Sequence, residues 1–211
     1  MKKTYLFDFD GTLVNSMPTF ISAMLRILDE GNIKYGQDIV KIITPLGYLG
    51  TAEYFRTLGI NKSTDELVAA MHDYMREKYF YTIEAKEGVK ETLFALKSSG
   101  ASLNILTASP HEVLDPCLMR LGIFELFSNV WSCEDFKTTK SNPEIYRMAA
   151  EKIGCAVDEV IFVDDNIGAV STAKRAGLIA YGIYDDSSAD LIDKMREVSD
   201  RYVVNFSELL N

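Results

Sequence analysis

The sequence predicts an α/β fold: a Rossmann-like parallel sheet core with helices on both faces, plus an inserted α-helical cap domain. Two observations lead to this prediction. A helical pattern, a glycine and a short apolar run follow one another three times, around Gly100, Gly154 and Gly177. Residues 15–83, in contrast, contain helical patterns and no strand-like run. Helices that alternate with buried strands are typical of a parallel sheet with right-handed crossovers, so the long helical stretch is interpreted as an insertion.

Four short runs of mostly apolar residues predict the strands of the core, because runs of this length between helices are typical of strands buried on both faces. These runs cover residues 4–7, 102–106, 160–163 and 178–183. The helices expected before the last three runs cover residues 91–99, 145–153 and 169–176. A glycine follows each of these helices, where it can adopt the left-handed conformation that ends a helix.

Helix signals define the inserted region. Pro18 stands at the start of an amphipathic pattern, and Ser63 forms a capping box with Glu66 at the start of another. An insertion directly after the first strand is well placed to act as a lid. The expected domains are a core of residues 1–14 and 84–211 and a helical cap of residues 15–83.

Composition excludes several classes of protein. The 211 residues include 22 Lys and Arg against 31 Asp and Glu, a net charge of −9, and 47% are hydrophobic. This apolar share suits a packed core, and the acidic balance argues against sequence-independent binding to nucleic acid. No apolar stretch approaches the length of a membrane span, and the three cysteines form no Cys-x-x-Cys pair. We expect a cytoplasmic protein that binds neither nucleic acid nor membranes.

Polar side chains follow three of the predicted strands, at the point where each strand ends. These are Asp8 and Asp10 after the first, Thr107 after the second, and Asp164 and Asp165 after the third. Ligands bind beyond the carboxyl ends of the strands in an open parallel sheet, so we expect these groups to lie together. Four acids there would repel one another unless a cation lay between them. Carboxylate oxygens with no His or Cys nearby favour Mg²⁺.

Asp8 and Asp10 are candidates for a nucleophile and a proton donor, because side chains two residues apart on a strand point to the same face. A carboxylate can attack phosphorus to form an aspartyl-phosphate. A second acid can protonate the leaving oxygen and later accept a proton from water. Lys140 stands just before a helix that begins near Pro143. It is the candidate for the fixed cation that balances the negative charge of the transferring phosphoryl group.

These motifs resemble those of the haloacid dehalogenase superfamily, in its phosphoglycolate-phosphatase-like branch with a helical cap. The resemblance covers essentially the whole chain, and the motifs that carry it are Asp8-Phe-Asp-Gly-Thr-Leu-Val-Asn-Ser16, Thr107, Lys140-x-x-Pro143 and Phe162-Val-Asp-Asp165. It implies that Asp8 is the nucleophile and Asp10 the acid/base. It also implies that Thr107 and Lys140 hold the phosphoryl group. Asp165 would then bind Mg²⁺ together with Asp8 and the carbonyl of Asp10.

Four positions depart from the family pattern. Asn15 stands where relatives usually have an acid, and Ala108 replaces a common Asn in the phosphate-binding loop. Asp164 takes the place of a usual Gly, and Ala169 that of a frequent Asp. We expect Asp164 to serve as a further metal ligand or to support the other ligands.

The predicted reaction is Mg²⁺-dependent hydrolysis of a small phosphorylated metabolite, either phosphoglycolate-like or sugar-phosphate-like. Two alternatives stay open within the family. One is a phosphomutase of the β-phosphoglucomutase type. The other is a phosphonate hydrolase, which needs a Schiff-base lysine from the cap, and Lys34, Lys41 and Lys62 are available there.

Specificity is expected to come from residues outside the phosphate-binding motifs. Gly47 and Tyr48, in a segment that starts at Pro45, are candidates for a contact loop of the cap. His111 follows Thr107 closely and could contact the substrate at the entrance of the site. The oligomeric state is expected to be a monomer or a homodimer.

Overall fold

The computed structural model describes residues 3–43 and 46–211 of the chain. These residues form two compact units, one of residues 3–15 and 84–211 and the other of residues 16–83. The first unit contains an open sheet in which every pairing of the named strands is parallel. Its strands are β1 Thr4–Phe7, β2 Ser102–Thr107, β3 Asn129–Ser132, β4 Val160–Asp164, β5 Ile179–Ile183 and β6 Arg201–Val203.

The order of the strands across the sheet is β3-β2-β1-β4-β5-β6. From β1 the chain winds outward through β2 and β3, and then returns to the other side of β1 and winds outward again through β4 to β6. The carboxyl ends of β1 and β4 therefore flank the place where the winding reverses, which is where open α/β sheets bind ligands. The predicted α/β class with a parallel sheet is confirmed.

The sequence patterns missed the two edge strands, β3 and β6. Three of the four residues of β3 are partly exposed, and β6 has only three residues. Short edge strands with partial exposure lack the continuous apolar run that identifies the central strands.

Helices make up most of the remaining described structure. Those of the unit of residues 16–83 are α1 Met17–Glu30, α2 Ile39–Ile43, α3 Gly47–Thr57 and α4 Thr64–Tyr81. Those of the unit with the sheet are α5 Val89–Ser98, α6 His111–Leu121, α7 Glu144–Ile153, α8 Ile167–Ala176 and α9 Ile192–Val198. Gly154 and Gly177 follow α7 and α8 in the left-handed conformation, as predicted. None of the described helices has the length and apolar character that crossing a bilayer requires.

Packing of α7 and α8 against the sheet forms a main part of the core of the first unit. Tyr146 of α7 and Phe162 of β4 are fully buried, and their rings meet edge to face at a centroid distance of 5.0 Å. Val170 and Ala173 of α8 belong to the same buried cluster. This packing places the loop before α7 and the end of β4 in fixed positions relative to each other.

The unit of residues 16–83 has its own apolar core, to which Met24, Phe55 and Leu67 contribute. The predicted capping box at the start of α4 is present. Ser63 Oγ accepts a hydrogen bond from the Glu66 amide at 3.2 Å, and the Ser63 amide donates to the Glu66 carboxylate at 2.7 Å. Pro18 lies in the first turn of α1, also as predicted.

Candidate active site

Three buried carboxylates meet where β1 and β4 end. Asp8 directly follows β1, and its amide donates a hydrogen bond to the Val163 carbonyl of β4 at 2.9 Å. Asp164 is the last residue of β4, and Asp165 follows it. One carboxylate oxygen from each of the three aspartates lies within 4.8 Å of the other two. The predicted meeting of strand-end acids is therefore present for Asp8, Asp164 and Asp165.

The Lys140 ammonium lies between two of these carboxylates. Its Nζ is 2.8 Å from Asp8 Oδ1 and donates a hydrogen bond of 2.8 Å to Asp164 Oδ2. Burial alone would lower the pKa of Lys140, but the charges of Asp164 and Asp8 outweigh burial and raise it well above its ordinary value. Lys140 is therefore a charged group at neutral pH, as its predicted role requires.

Two of the carboxylates, those of Asp164 and Asp165, resist ionisation. Burial raises the pKa of Asp164 to about 7, the charge of Asp8 adds to this effect, and Lys140 opposes it. Burial also raises the pKa of Asp165 well above its ordinary value, with further contributions from Asp164 and Asp8. Three carboxylates share one ammonium in this cluster, so full ionisation leaves an excess of negative charge.

The cluster fits a divalent cation. Metal–oxygen distances of about 2.0–2.6 Å place the ligands of one ion at most about 5 Å apart, which is the spacing found here. Asp8 Oδ1 is buried and receives no hydrogen bond from the described residues, because the nearby Lys140 ammonium approaches it as an ion pair without hydrogen-bond geometry. Hard carboxylate oxygens with no thiolate or imidazole among them are typical ligands of Mg²⁺, Ca²⁺ and Mn²⁺.

The loop after β1 holds Asp165 in place. Thr12 Oγ1 donates to Asp165 Oδ1 at 3.0 Å and accepts a hydrogen bond from the Asp165 amide at 3.2 Å. Gly11 has a φ of +71°, and a Cβ atom at this position would lie 2.5 Å from Asp165 Oδ2. Glycine is therefore required here both for the backbone conformation and for the close approach of the carboxylate.

Asp10 lies beside the loop that follows β2. Ser109 Oγ donates a hydrogen bond of 2.5 Å to Asp10 Oδ2, and the Ser109 amide donates to Thr107 Oγ1 at 3.1 Å. Thr107 is buried at the end of β2, whereas Ala108 is exposed. The carboxylate of Asp10 is not part of the group formed by the other three aspartates. A contribution of the Asp10 carbonyl to metal binding stays a prediction, as do the phosphate contacts of Thr107 and Ala108.

Two further groups position Lys140, and sequence reasoning assigned no such role to either. The Tyr146 hydroxyl lies 3.0 Å from the Lys140 carbonyl oxygen and 3.2 Å from the Ala169 carbonyl oxygen, and it can donate a hydrogen bond to either of them. Asp164, which we expected to be a metal ligand or to support the other ligands, accepts the hydrogen bond from the Lys140 ammonium and one of 2.7 Å from the Asn166 amide. The only sequence signal for the contact between Tyr146 and Lys140 was their spacing, six residues apart at the entrance of a helix.

His111 begins α6 and contacts two carboxylates. Its Nδ1 lies 2.8 Å from Asp115 and its Nε2 lies 2.8 Å from Asp135. Burial lowers the pKa of His111, but the hydrogen bonds to Asp135 and Asp115 outweigh burial, and the net shift is upward. Since both ring nitrogens already have partners, a contact between His111 and substrate would require one of these interactions to break. That contact stays a prediction.

The expected contact loop of the cap differs from the structure. Gly47 and Tyr48 form the start of helix α3, so the loop interpretation is wrong for them, and Pro45 lies outside the described residues. The chain turns into the helix at Gly47, which has a φ of +63°. The Tyr48 ring packs edge to face against His72 and Phe20, at centroid distances of 4.5 and 5.1 Å. Substrate contacts by Gly47 and Tyr48 stay predictions.

Comparisons with known proteins bear on the family and the fold of this chain. A family model described as haloacid dehalogenase-like hydrolase matches residues 5–183. The pyrophosphatase PpaX of Bacillus velezensis is 32% identical over 179 residues, which are 84% of this chain and 81% of that protein. The validoxylamine A 7'-phosphate phosphatase of Streptomyces hygroscopicus is 25% identical over 193 residues, 91% of this chain and 90% of that protein.

The fold has close counterparts among solved structures. That of a predicted phosphoglycolate phosphatase from Haemophilus somnus has a TM-score of 0.82 at 22% sequence identity, and the match covers 99% of this chain and 96% of that chain. At 22% identity, this structural similarity is evidence for the fold alone.

Replacement of Gly11 by alanine is expected to disturb the cluster specifically. Gly11→Ala meets the Asp165 carboxylate, whereas Gly122→Ala, at a φ of +72° with no atom within 4 Å of the added Cβ, adds backbone strain alone. Both variants should lose about 1–2 kcal/mol of stability from strain. If Mg²⁺ binds at the cluster and raises the melting temperature, only Gly11→Ala should also lose that rise. An equal Mg²⁺ response in the two variants would contradict the assigned role of Gly11.

His111 is expected to titrate above its ordinary pKa of 6.5. A raised folded-state pKa means that the stabilisation by protonated His111 is complete below about pH 6.5 and is lost as the pH rises through the raised value. Proton NMR can follow this titration directly, because the chain has only two histidines and a His72→Gln variant assigns the signals. Asp115→Asn should lower the observed pKa. A midpoint at or below 6.5 in the parent protein would contradict the ion pairs.

Proposed function

This chain belongs to the haloacid dehalogenase-like hydrolases, and on that premise we propose that it is a Mg²⁺-dependent phosphatase that acts through an aspartyl-phosphate. The observation that supports this most is the group of buried carboxylates at the switch point of the sheet, with Lys140 in contact with Asp8. A nucleophilic carboxylate, a charged lysine and a cation site in one crevice are the groups that phosphoryl transfer requires.

Asp8 is the proposed nucleophile. An oxygen of its carboxylate attacks phosphorus, a bond forms between them, and the bond from phosphorus to the leaving oxygen breaks. Asp10 in its protonated form gives its proton to that leaving oxygen. The Lys140 ammonium, 2.8 Å from Asp8 Oδ1, is placed to balance the negative charge of the transferring group.

The second step regenerates the carboxylate. Water attacks the phosphorus of the aspartyl-phosphate while Asp10, now ionised, accepts a proton from that water. The bond between phosphorus and the Asp8 oxygen then breaks, and inorganic phosphate leaves. Ser109, which donates a hydrogen bond to Asp10 Oδ2, keeps the acid/base oriented during both steps.

Asp8 and Asp165 are the residues that we propose to hold Mg²⁺, with the Asp10 carbonyl and with Asp164 as a further ligand or a support. Bound Mg²⁺ supplies electrostatic stabilisation of the charge on the transferring phosphoryl group. Asp164 is already engaged by Lys140 and by the Asn166 amide, which favours the supporting role.

The proposed substrate is a small phosphorylated compound. A substrate screen should include pyrophosphate together with phosphoglycolate and sugar phosphates, because the relative that is 32% identical is a pyrophosphatase. The phosphomutase alternative stays open, and transfer of the phosphoryl group to a sugar hydroxyl would reveal it. A phosphonate hydrolase is less well supported, because Lys34, Lys41 and Lys62 are all exposed and lack the burial that typically activates a Schiff-base lysine. A cytoplasmic location and a monomeric or homodimeric state remain predictions.

The proposed roles of Asp8 and Asp10 can be distinguished with the substrate p-nitrophenyl phosphate, because its leaving group departs without needing a proton. Asp8→Asn should abolish turnover. Asp10→Asn should release about one p-nitrophenol per chain in a rapid burst and then slow down by at least about 10²-fold, because dephosphorylation lacks its base. Mass spectrometry of the quenched burst should find one phosphoryl group on the peptide that contains Asp8.

A matched control is Asp158→Asn, which removes an exposed aspartate just before β4, at the opposite end of that strand. Its turnover should equal that of the parent protein. Robust hydrolysis by Asp8→Asn, or a phosphoryl group on another residue, would contradict the proposed mechanism.

A further inference from the structure

Lys86 lies where the chain returns to the unit with the sheet. Its amide donates to the Leu13 carbonyl at 3.0 Å, and the Asn15 amide donates to the Glu84 carbonyl at 2.9 Å. These hydrogen bonds pair the segment around Lys86 with the segment that follows Gly11. The backbone of Lys86 is thereby attached to the same loop that carries Asp10 and Thr12.

The side chain of Lys86 makes three contacts of its own. Its Nζ donates to the Gly11 carbonyl at 2.7 Å, to the Tyr184 carbonyl at 2.6 Å and to Asp185 Oδ2 at 3.0 Å. An ammonium has three donors, so this set uses all of them. Asp185 is buried, and its other oxygen accepts hydrogen bonds from the Ser187 amide at 2.9 Å and the Ser187 hydroxyl at 2.6 Å.

These contacts join the loop after β1 to the end of β5. Gly11 is the residue that approaches the Asp165 carboxylate so closely that no Cβ atom would fit. A shift of Gly11 would therefore move the surface against which that carboxylate rests. Lys86 holds the carbonyl of Gly11 through its ammonium, and Asp185 is the buried counter-ion of that ammonium.

We infer that Lys86, with Asp185, is a positioning residue of the proposed metal site, which it serves by holding Gly11 against the Asp165 carboxylate. This inference rests on the proposed function for the identity of the ion. It assigns Lys86 no contact with substrate or metal.

A positioning role and a purely electrostatic role predict opposite effects on metal binding. Burial contributes most to the raised pKa of Asp165, the charges of Asp164, Asp8 and Asp185 raise it further, and Lys86 lowers it, so the charge of Lys86 does reach this carboxylate. Removal of a positive charge near the site would by itself strengthen the binding of a cation. Loss of positioning would weaken it, because groups that orient metal ligands typically contribute about 10–100-fold to affinity.

Calorimetric titration of the full chain with Mg²⁺ can distinguish the two. Lys86→Met keeps most of the stem and removes the ammonium. The double variant Lys86→Met with Asp185→Asn removes both charges, so no buried ion is left without its partner, and the asparagine oxygen can still accept from Ser187. Lys174→Met is the control, since Lys174 pairs with Asp200 at 2.9 Å but lies in the last turn of α8, at the far end of that helix from Asp165.

We expect Mg²⁺ affinity to fall by about 10-fold or more in both Lys86 variants and to stay unchanged in Lys174→Met. Unchanged or tighter binding in the double variant would overturn the inference, and a lower melting temperature with parental Mg²⁺ affinity would reduce Lys86 to a structural residue. If the parent protein binds no Mg²⁺, both the inference and the proposed metal dependence fail. If it binds Mg²⁺ as expected but hydrolyses no phosphate compound, only the proposed function fails.

Discussion

The excess of negative charge at the switch point of the sheet is the constraint on which the site depends. Asp8, Asp164 and Asp165 are buried within a few ångströms of one another, and Lys140 is the only ammonium that contacts this cluster among the described residues. Removing ions from water costs several kcal/mol each unless their charges are balanced. A proton can supply the balance, as the raised pKa of Asp164 and Asp165 shows, and so can a divalent cation. Binding of the cation should therefore release protons.

The fold produces this concentration of charge through strand order. Because β1 and β4 are neighbours, the residues that follow them lie side by side even though more than 150 positions separate them in the chain. The supporting contacts come from different loops: Thr12 and Gly11 hold Asp165, whereas Tyr146 and Asp164 hold Lys140. Backbone and side-chain contacts thus keep the carboxylates close in spite of their repulsion, and a cation site requires this kind of preorganisation.

Sequence patterns predicted the parts of the site that lie next to regular elements. The acids after β1 and β4 stand at strand ends, and Lys140 precedes a helix entrance, so periodicity and motif order were sufficient to find them. The partnership of Lys86 with Asp185 could not be found in this way, because the two are 99 positions apart and neither belongs to a motif. The contact between Ser109 and Asp10 likewise joins residues that are far apart in the chain. The edge strands β3 and β6 form because they pair with a neighbouring strand, and their own composition is a weaker signal.

A crystal soaked with Mn²⁺, a divalent cation that shares the preference of Mg²⁺ for oxygen ligands and scatters anomalously, tests the central claim most directly. The account predicts a single strong anomalous peak at bonding distance, about 2.0–2.3 Å, from carboxylate oxygens of both Asp8 and Asp165. A peak bound elsewhere, or no peak between these two carboxylates at saturating Mn²⁺, would contradict it.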